Sequence, residues 1–260
     1  MATSAAFFDL DKTILATSAS LALTRPLLRA GLMRTRDVMR AAQSQLAYHL
    51  LDATHERSER IKDDLTQMVS GWSVAEFDAV VAAALTESIQ PVVYREALDA
   101  ISTHHAAGHD VVIVSASAEA IVRPIMRLLD ADGMIATQLE IEDGRYTGGI
   151  AHYNYGPAKP LAMEAMADRR GWDLERCWAY SDSITDEPLL RSVGHPVAVN
   201  PDRALLRIAR DEGWSVRRWE QQVVLNRTGE ISLAAAGGVA AAALAVALLL
   251  RRRRRQRPRS

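Results

Sequence analysis

The 260-residue sequence has little cysteine and lacks any recognisable export signal. Its one cysteine, Cys177, excludes an internal disulfide framework and suits a reducing compartment. The opening stretch MATSAAFFDLDK has no basic segment leading into an apolar one, so nothing there marks the chain for secretion and a cytosolic body is expected. No internal repeat occurs, and no long Gly/Ser linker precedes residue 220, which excludes a repeat array and a string of loosely tethered modules. Charge is missing in two places. Residues 231–250 carry none of either sign, and the last ten residues, RRRRRQRPRS, carry no acid.

These gaps reshape the charge balance. The formal net charge is −1, yet seven arginines lie in the last ten residues, and removing them leaves residues 1–230 at −8. The chain is therefore an acidic body, an apolar segment and a basic tail. A hydrophobic content of 48% argues against disorder, and the body is long enough for one large α/β domain or a core with a smaller insertion.

Ala5 to Leu10 is a short apolar run carrying a carboxylate, which predicts a buried parallel strand with chemistry at its C-terminal end. Asp110 to Val114 is a second such run, set between the turn at Gly108 and Ser115-Ala116-Ser117. The hundred or so residues between them read almost wholly as helix. Ser73-Val74-Ala75-Glu76 is a capping-box start, followed by Val74, Phe77, Val80, Val81, Ala84 and Leu85 at helical spacing. The same period runs from Ser18 to Ser70, with breaks predicted near Pro26, Gly31 and Ala53-Thr54. This predicts a helical insertion over 16–90 in a core made of 1–15 and 91–226.

Downstream, Ala118–Leu129 reads as a helix, and strands at Ile135–Ile141 and Tyr146–Ile150 flank the turn Asp143-Gly144. A helix over Pro160–Arg170 closed by Gly171, a strand at Cys177–Tyr180, a short helix at Glu187–Ser192 and a strand at Pro196–Val199 complete the alternation. The pattern predicts an α/β fold with a doubly wound, mostly parallel, Rossmann-like sheet, in which ligands sit at the carboxyl ends of strands. Asp9, Ser115 and Asp182 fall at such ends.

Asp9-Leu10-Asp11 places two carboxylates at i and i+2, with Lys12 and Thr13 behind them. Acids this close repel, so they invite a divalent cation. Ser181-Asp182-Ser183-Ile184-Thr185-Asp186 supplies a second acidic pair after another strand. With Ser115 and Lys159 these residues suit an anionic phosphoryl group and Mg²⁺, a cation that prefers oxygen ligands. A lone D-x-D is common by chance, and only the combination carries weight.

That combination resembles the haloacid dehalogenase-like phosphatases. Phe8-Asp9-Leu10-Asp11-Lys12-Thr13, Val114-Ser115, Lys159 and Ser181-Asp182 with Asp186 stand in order where that family's four motifs stand. The long interval between the first two motifs indicates the subclass with a helical cap there. Leu139 to Gly148 looks like the hairpin of the phosphoserine-phosphatase-like branch. The resemblance implies that Asp9 is the nucleophile, forming an aspartyl-phosphate, and that Asp11 is first general acid and then general base. It implies Mg²⁺ at Asp9, Asp11 (through its backbone carbonyl) and Asp182, with Asp186 ligating or orienting. Ser115, Lys159 and Thr13 would serve phosphate binding, the first two on phosphoryl oxygens and Thr13 by steadying the loop. The expected substrate is a small phosphorylated metabolite or a lipid-precursor phosphate. Phosphoserine phosphatases of this kind carry a glutamate nine residues after the nucleophile, and here that position is Ser18, which argues against phosphoserine. Transfer to an acceptor other than water would use the same residues, and a membrane-bound regulatory protein without turnover is the alternative from another class.

Arg25, Arg29, Arg34, Arg36 and Arg40 read first as a solvated basic face and second as a contact for anionic lipid or substrate. Arg57 and Arg60 are given no role. His104-His105 read as exposed residues at a helix end rather than metal ligands, Cys177 as an inert core thiol, and the five tryptophans as packing residues.

Ile231 to Leu250 is twenty uncharged residues, nine of them alanine, long enough as a helix to cross a hydrocarbon core of about 30 Å. The sequence thus predicts a transmembrane or membrane-anchoring helix over 231–250 and a basic tail over 251–260 that meets anionic lipid. No specific nucleic-acid partner is expected. Small residues at Gly238 and Ala242 would permit a homodimer. The expected location is membrane-associated with a cytoplasmic catalytic body. Deleting residues 231–260 is expected to move the protein from the membrane fraction to the soluble fraction of a cell lysate; an unchanged distribution contradicts the anchor.

Overall fold

A computed structural model describes residues 3–33, 69–225 and 231–233. Arg34, Arg36, Arg40, Arg57 and Arg60, the predicted break at Ala53-Thr54, most of the predicted apolar helix and the basic tail lie outside the described residues.

Among the described residues the main sheet has seven strands: β1 (Ala5–Asp9), β3 (Asp110–Ala118), β4 (Gly133–Glu142), β5 (Arg145–His152), β6 (Trp178–Ser181), β7 (His195–Val199) and β8 (Ser215–Arg217). Their order is β5-β4-β3-β1-β6-β7-β8, parallel throughout except for the β4–β5 hairpin. Helix α1 (Ala19–Arg29), helix α2 (Val74–Ala84), strand β2 (Val93–Tyr94) and helix α3 (Arg95–Ala106) lie between β1 and β3, and α4 (Glu119–Leu128) joins β3 to β4. Helices α5 (Ala158–Arg170), α6 (Glu187–Arg191) and α7 (Arg203–Asp211) form the later crossovers. Successive connections therefore move outward on opposite sides of β1, and the direction of winding reverses between β1 and β6.

Period-two alternation on β1 separates two cores. Ala6 and Phe8 face a cluster shared with α1 to α4, through Leu23, Phe77, Ile101 and Val122. Ala5 and Phe7 face the other, built on Met163 of α5, Leu189 and Leu190 of α6, and Leu205 of α7. A strand buried on both faces must be apolar at every position, which accounts for the AAFF run before the carboxylate.

The predicted local signals recur in the structure. Ser73 Oγ accepts the Glu76 N–H at 3.3 Å, and Phe77, Val81 and Ala84 are the buried face of α2. Asp143 and Gly144 both have positive φ, 49° and 73°, the turn that a tight hairpin requires. Gly171 caps α5 at φ 71°. Four expectations are corrected. Helix α1 runs through Pro26 and stops only before Gly31, because Pro26 sits eight residues in and loses a single backbone bond while Leu23 and Leu27 stay buried. Strand β3 continues through Ser115 to Ala118, where the sequence reading ends the apolar run at Val114 and starts the next helix at Ala118.

The third concerns the C-terminal segment. Ile231–Leu233 is a strand, β10, where the sequence predicts the first turn of an apolar helix. It pairs antiparallel with β9 (Gln222–Leu225), which pairs with β2, so the ladder offered by the β-branched run Val223-Val224 takes these residues instead. Among the described residues no helix is long and apolar enough to cross a membrane.

His104 is also corrected, since it is buried rather than exposed. Its Nε2 lies 2.8 Å from Tyr180 Oη and its Nδ1 lies 2.9 Å from His109 Nδ1. Burial, with the neighbouring His109 and His105, pushes its pKa down to about 4. A histidine kept neutral in the fold but titrating near 6.5 when unfolded contributes its full stability above pH 6.5 and loses it as pH falls towards 4, by at most about 3 kcal/mol. The difference in urea-unfolding free energy between the native protein and His104→Gln should therefore shrink between pH 7.5 and pH 4.5; a constant difference contradicts the burial of a neutral imidazole.

Candidate active site

Reversal of the winding opens a crevice at the carboxyl ends of β1 and β6, and the predicted acidic residues fall there. Asp9 ends β1, in register with Val114 of β3, and is buried. Lys159, in the first turn of α5, reaches into the same crevice. Its Nζ donates to Asp9 Oδ1 at 2.8 Å and to Asp186 Oδ2 at 2.8 Å, and all three side chains are almost wholly buried. Ser181 Oγ, at the end of β6, donates to Asp186 Oδ2 at 2.8 Å.

The loop after β1 folds tightly over this centre. Lys12 takes the left-handed conformation, φ 65°, and Leu15 N–H returns to the Leu10 carbonyl at 2.9 Å. Asp11 Oδ1 accepts the Ala19 N–H at 2.7 Å, at the start of α1, and its Oδ2 accepts Ser117 Oγ at 3.1 Å. Thr13, fully buried, donates to Asp182 Oδ1 at 3.3 Å, tying the loop to the end of β6. Ser115 Oγ accepts the Ser117 N–H at 3.0 Å, so its own O–H is left as a donor.

The fold thus joins Asp9, Lys159 and Asp186 directly, joins Thr13 to Asp182, and sets Asp11 on Ser117. Ser115 comes in on the neighbouring strand, one residue beyond the level of Asp9. Ser117 and Ser181 were not singled out from the sequence. Ser117 had a signal in the i, i+2 alternation of Ser115-Ala116-Ser117, and Ser181 had one in its place directly before Asp182.

Burial controls the proton affinities. It raises Asp9 well above the ordinary carboxylate value; Lys159 opposes this, while the Asp186, Asp182 and Asp11 charges add to it. Asp11 is raised by burial against the hydrogen bonds from Ala19 and Ser117. Asp182 is pushed up to about 6, again chiefly by burial. Burial disfavours the Lys159 charge, but the Asp186 and Asp9 carboxylates outweigh it and hold the ammonium above its ordinary value.

The donor set is compatible with a hard cation. Asp9 and Asp182 bring carboxylate oxygens to a buried centre where lysine is the one buried cation among the described residues. Asp11 would act through its carbonyl, because both its carboxylate oxygens are engaged. No three His, Cys, Asp or Glu side chains among the described residues form a metal cage by themselves. Mg²⁺ does not need one, since it keeps several waters and is ordinarily held by one or two carboxylates and substrate phosphate.

Of the other candidates, Arg25 and Arg29 share an exposed face of α1, Arg29 lying 3.8 Å from Glu87. Cys177 is fully buried just before β6, with its thiol pushed up by burial. Replacing Lys159 by methionine would leave Asp9 and Asp186 buried without a counter-charge. The metal-free variant should lose about 3 kcal/mol in urea unfolding at pH 7, and native stability in Lys159→Met contradicts this view of the triad.

The chain matches the model of the haloacid dehalogenase-like hydrolases over residues 6–191. It is 45% identical over 224 residues to a Mycobacterium tuberculosis protein described as a probable phosphatase, covering 86% of this chain and 78% of that one. A phosphoserine phosphatase of the same organism is 32% identical, with 91% of this chain and 78% of that one covered. A solved structure from Bordetella pertussis, of a protein with unknown function, superposes with a TM-score of 0.73 at 28% identity, over 83% of this chain and 98% of that one. On the extent of the family match and on these relatives, the chain belongs to the haloacid dehalogenase-like hydrolases.

Proposed function

We propose that this protein is a Mg²⁺-dependent phosphomonoester hydrolase that works through a phosphorylated Asp9. The observation that carries this reading is the buried Asp9–Lys159–Asp186 triad at the carboxyl end of β1. A carboxylate locked in one orientation by an ammonium is an aimed nucleophile, and the same ammonium offsets the charge of an incoming phosphoryl group.

Because Asp9 Oδ1 is engaged by Lys159, we assign the attack to Oδ2. A bond forms from Oδ2 to phosphorus as the bond from phosphorus to the ester oxygen breaks, and Asp11 gives its proton to the departing alkoxide. A raised proton affinity suits Asp11 to hold that proton. Water then attacks phosphorus, Asp11 takes back a proton, and the phosphorus–Oδ2 bond breaks to release inorganic phosphate and the Asp9 carboxylate. Ser115 and Lys159 hold phosphoryl oxygens through both steps, and Thr13 keeps Asp182 in place. Mg²⁺, held by Asp9, the Asp11 carbonyl and Asp182 with Asp186 behind them, would neutralise charge on the transferring group.

Helices α1 and α2 belong to the cap read over 16–90, whereas α3 belongs to the core. The substrate is a small phosphomonoester other than phosphoserine. Ser18, where an amine-binding acid would stand, is neutral, and its Oγ accepts the Leu21 N–H at 3.3 Å as the N-cap of α1. The positive end of a helix there disfavours a substrate ammonium. A lipid-precursor phosphate fits a chain whose apolar segment and arginine tail hold it at an anionic membrane, with the catalytic body in the cytoplasm.

The test is phosphate release by the full chain, in detergent with Mg²⁺, from a panel of phosphomonoesters that includes phosphoserine and lipid phosphates. Turnover is expected on panel members lacking an α-amine, with Asp9→Asn reducing it by at least about 10³-fold. Absence of release from every member, or full turnover by Asp9→Asn, refutes the mechanism, and a preference for phosphoserine refutes the substrate class.

A further inference from the structure

Strands β3 and β4 run in register to the pair Val114 and Ile135, and resume at Ala118 and Thr137. Residues 115–117 of β3 therefore stand against the single residue Ala136 of β4. This excess backbone is what carries Ser115 and Ser117 towards the crevice, and it takes the carbonyls of Ser115, Ala116 and Ile135 out of the regular ladder. Buried carbonyls need donors. Here two side chains provide them. Asn154 Nδ2 donates to the Ser115 carbonyl at 2.9 Å and to the Ile135 carbonyl at 3.0 Å. Thr137 Oγ1 donates to the Ala116 carbonyl at 2.7 Å and accepts the Asn154 N–H at 3.2 Å.

Asn154 has no exposed surface. Both amide protons serve carbonyls at the bulge, while its Oδ1 has no hydrogen-bond partner among the described residues. Two facing carbonyl oxygens demand an N–H₂ group. An ionised aspartate offers no proton, and leucine would leave both carbonyls unsatisfied. Asn154 also lies five residues before Lys159, so one short segment fixes the bulge at one end and delivers the buried ammonium at the other.

We propose that Asn154 is a positioning residue for phosphoryl binding: its carboxamide replaces the missing rung between β3 and β4 and so aims the Ser115 hydroxyl at the phosphoryl group. Thr137 completes the clamp. The proposal rests on the reading of Ser115 as a phosphoryl ligand.

The experiment measures KM for a turned-over phosphomonoester and Ki for inorganic phosphate in the full-length enzyme, for Asn154→Leu, Ser115→Ala and the double variant, with folding followed by thermal melts. Asn154→Leu is expected to raise both constants about tenfold in the folded enzyme, and to add less than about twofold once Ser115 is alanine. Thr137→Val should move Ki in the same direction and Thr137→Ser should restore it, which keeps the test decisive if Asn154→Leu does not fold. A residue that only stabilised the fold would lower the melting temperature without moving Ki. A native Ki in folded Asn154→Leu or in Thr137→Val, or an undiminished effect of Asn154→Leu in the Ser115→Ala background, overturns the proposal. A native Ki in Ser115→Ala itself refutes the phosphoryl-ligand reading, and the proposal falls with it.

Discussion

One ammonium group holds the centre of this molecule together. Lys159 Nζ lies 2.8 Å from a carboxylate at the end of β1 and 2.8 Å from another in the turn after β6, with all three groups out of solvent. Neither carboxylate could stay ionised at that depth alone, because burial strongly disfavours an unpaired charge. The lysine joins α5 to two adjacent strands across the crevice. It balances only part of the acidity gathered there. Asp182 and Asp11 add their own carboxyl groups nearby, and burial raises the proton affinity of both. A centre with that surplus of acidity is suited to a cation.

Topology explains why such a centre can exist. The winding reverses between β1 and β6, so their carboxyl ends have no crossover helix between them, and the loops that follow converge. The AAFF run of β1 anchors Asp9 in two hydrophobic cores at once, one on each face of the sheet. On the flank towards β4, the β3 bulge brings Ser115 and Ser117 forward, and on the flank towards β7, Ser181 holds Asp186. Rigid strands thus set the residues that need fixed positions, while the loop through Lys12 and Thr13 closes between them.

Much of this was legible in the sequence for a physical reason. Strands buried on both faces are short and continuously apolar, so β1, the start of β3 and β7 stood out, and turns that need positive φ, such as Asp143-Gly144 and Gly171, marked element ends. The acids, Ser115 and Lys159 were visible because their spacing in combination resembles a known family. What stayed hidden depends on distant partners. His104 is buried by Tyr180 and His109, Ile231–Leu233 becomes a strand because β9 offers an edge, and Asn154 matters because two strands fall out of register. His104 does fall at helical spacing with Ala97 and Ile101 on the buried face of α3, but its hydrogen-bond partner Tyr180 is remote. Asn154 and Ile231–Leu233 are likewise decided by residues remote in the chain.

The central claim is that Asp9 becomes covalently phosphorylated. The direct measurement is to quench the full-length enzyme during turnover of a phosphomonoester with Mg²⁺, reduce the trapped acyl phosphate with borohydride, and map the modified residue by peptide mass. The account predicts homoserine at position 9 and unmodified Asp11, Asp182 and Asp186. Reduction at another aspartate, or at none while phosphate is being released, would contradict it.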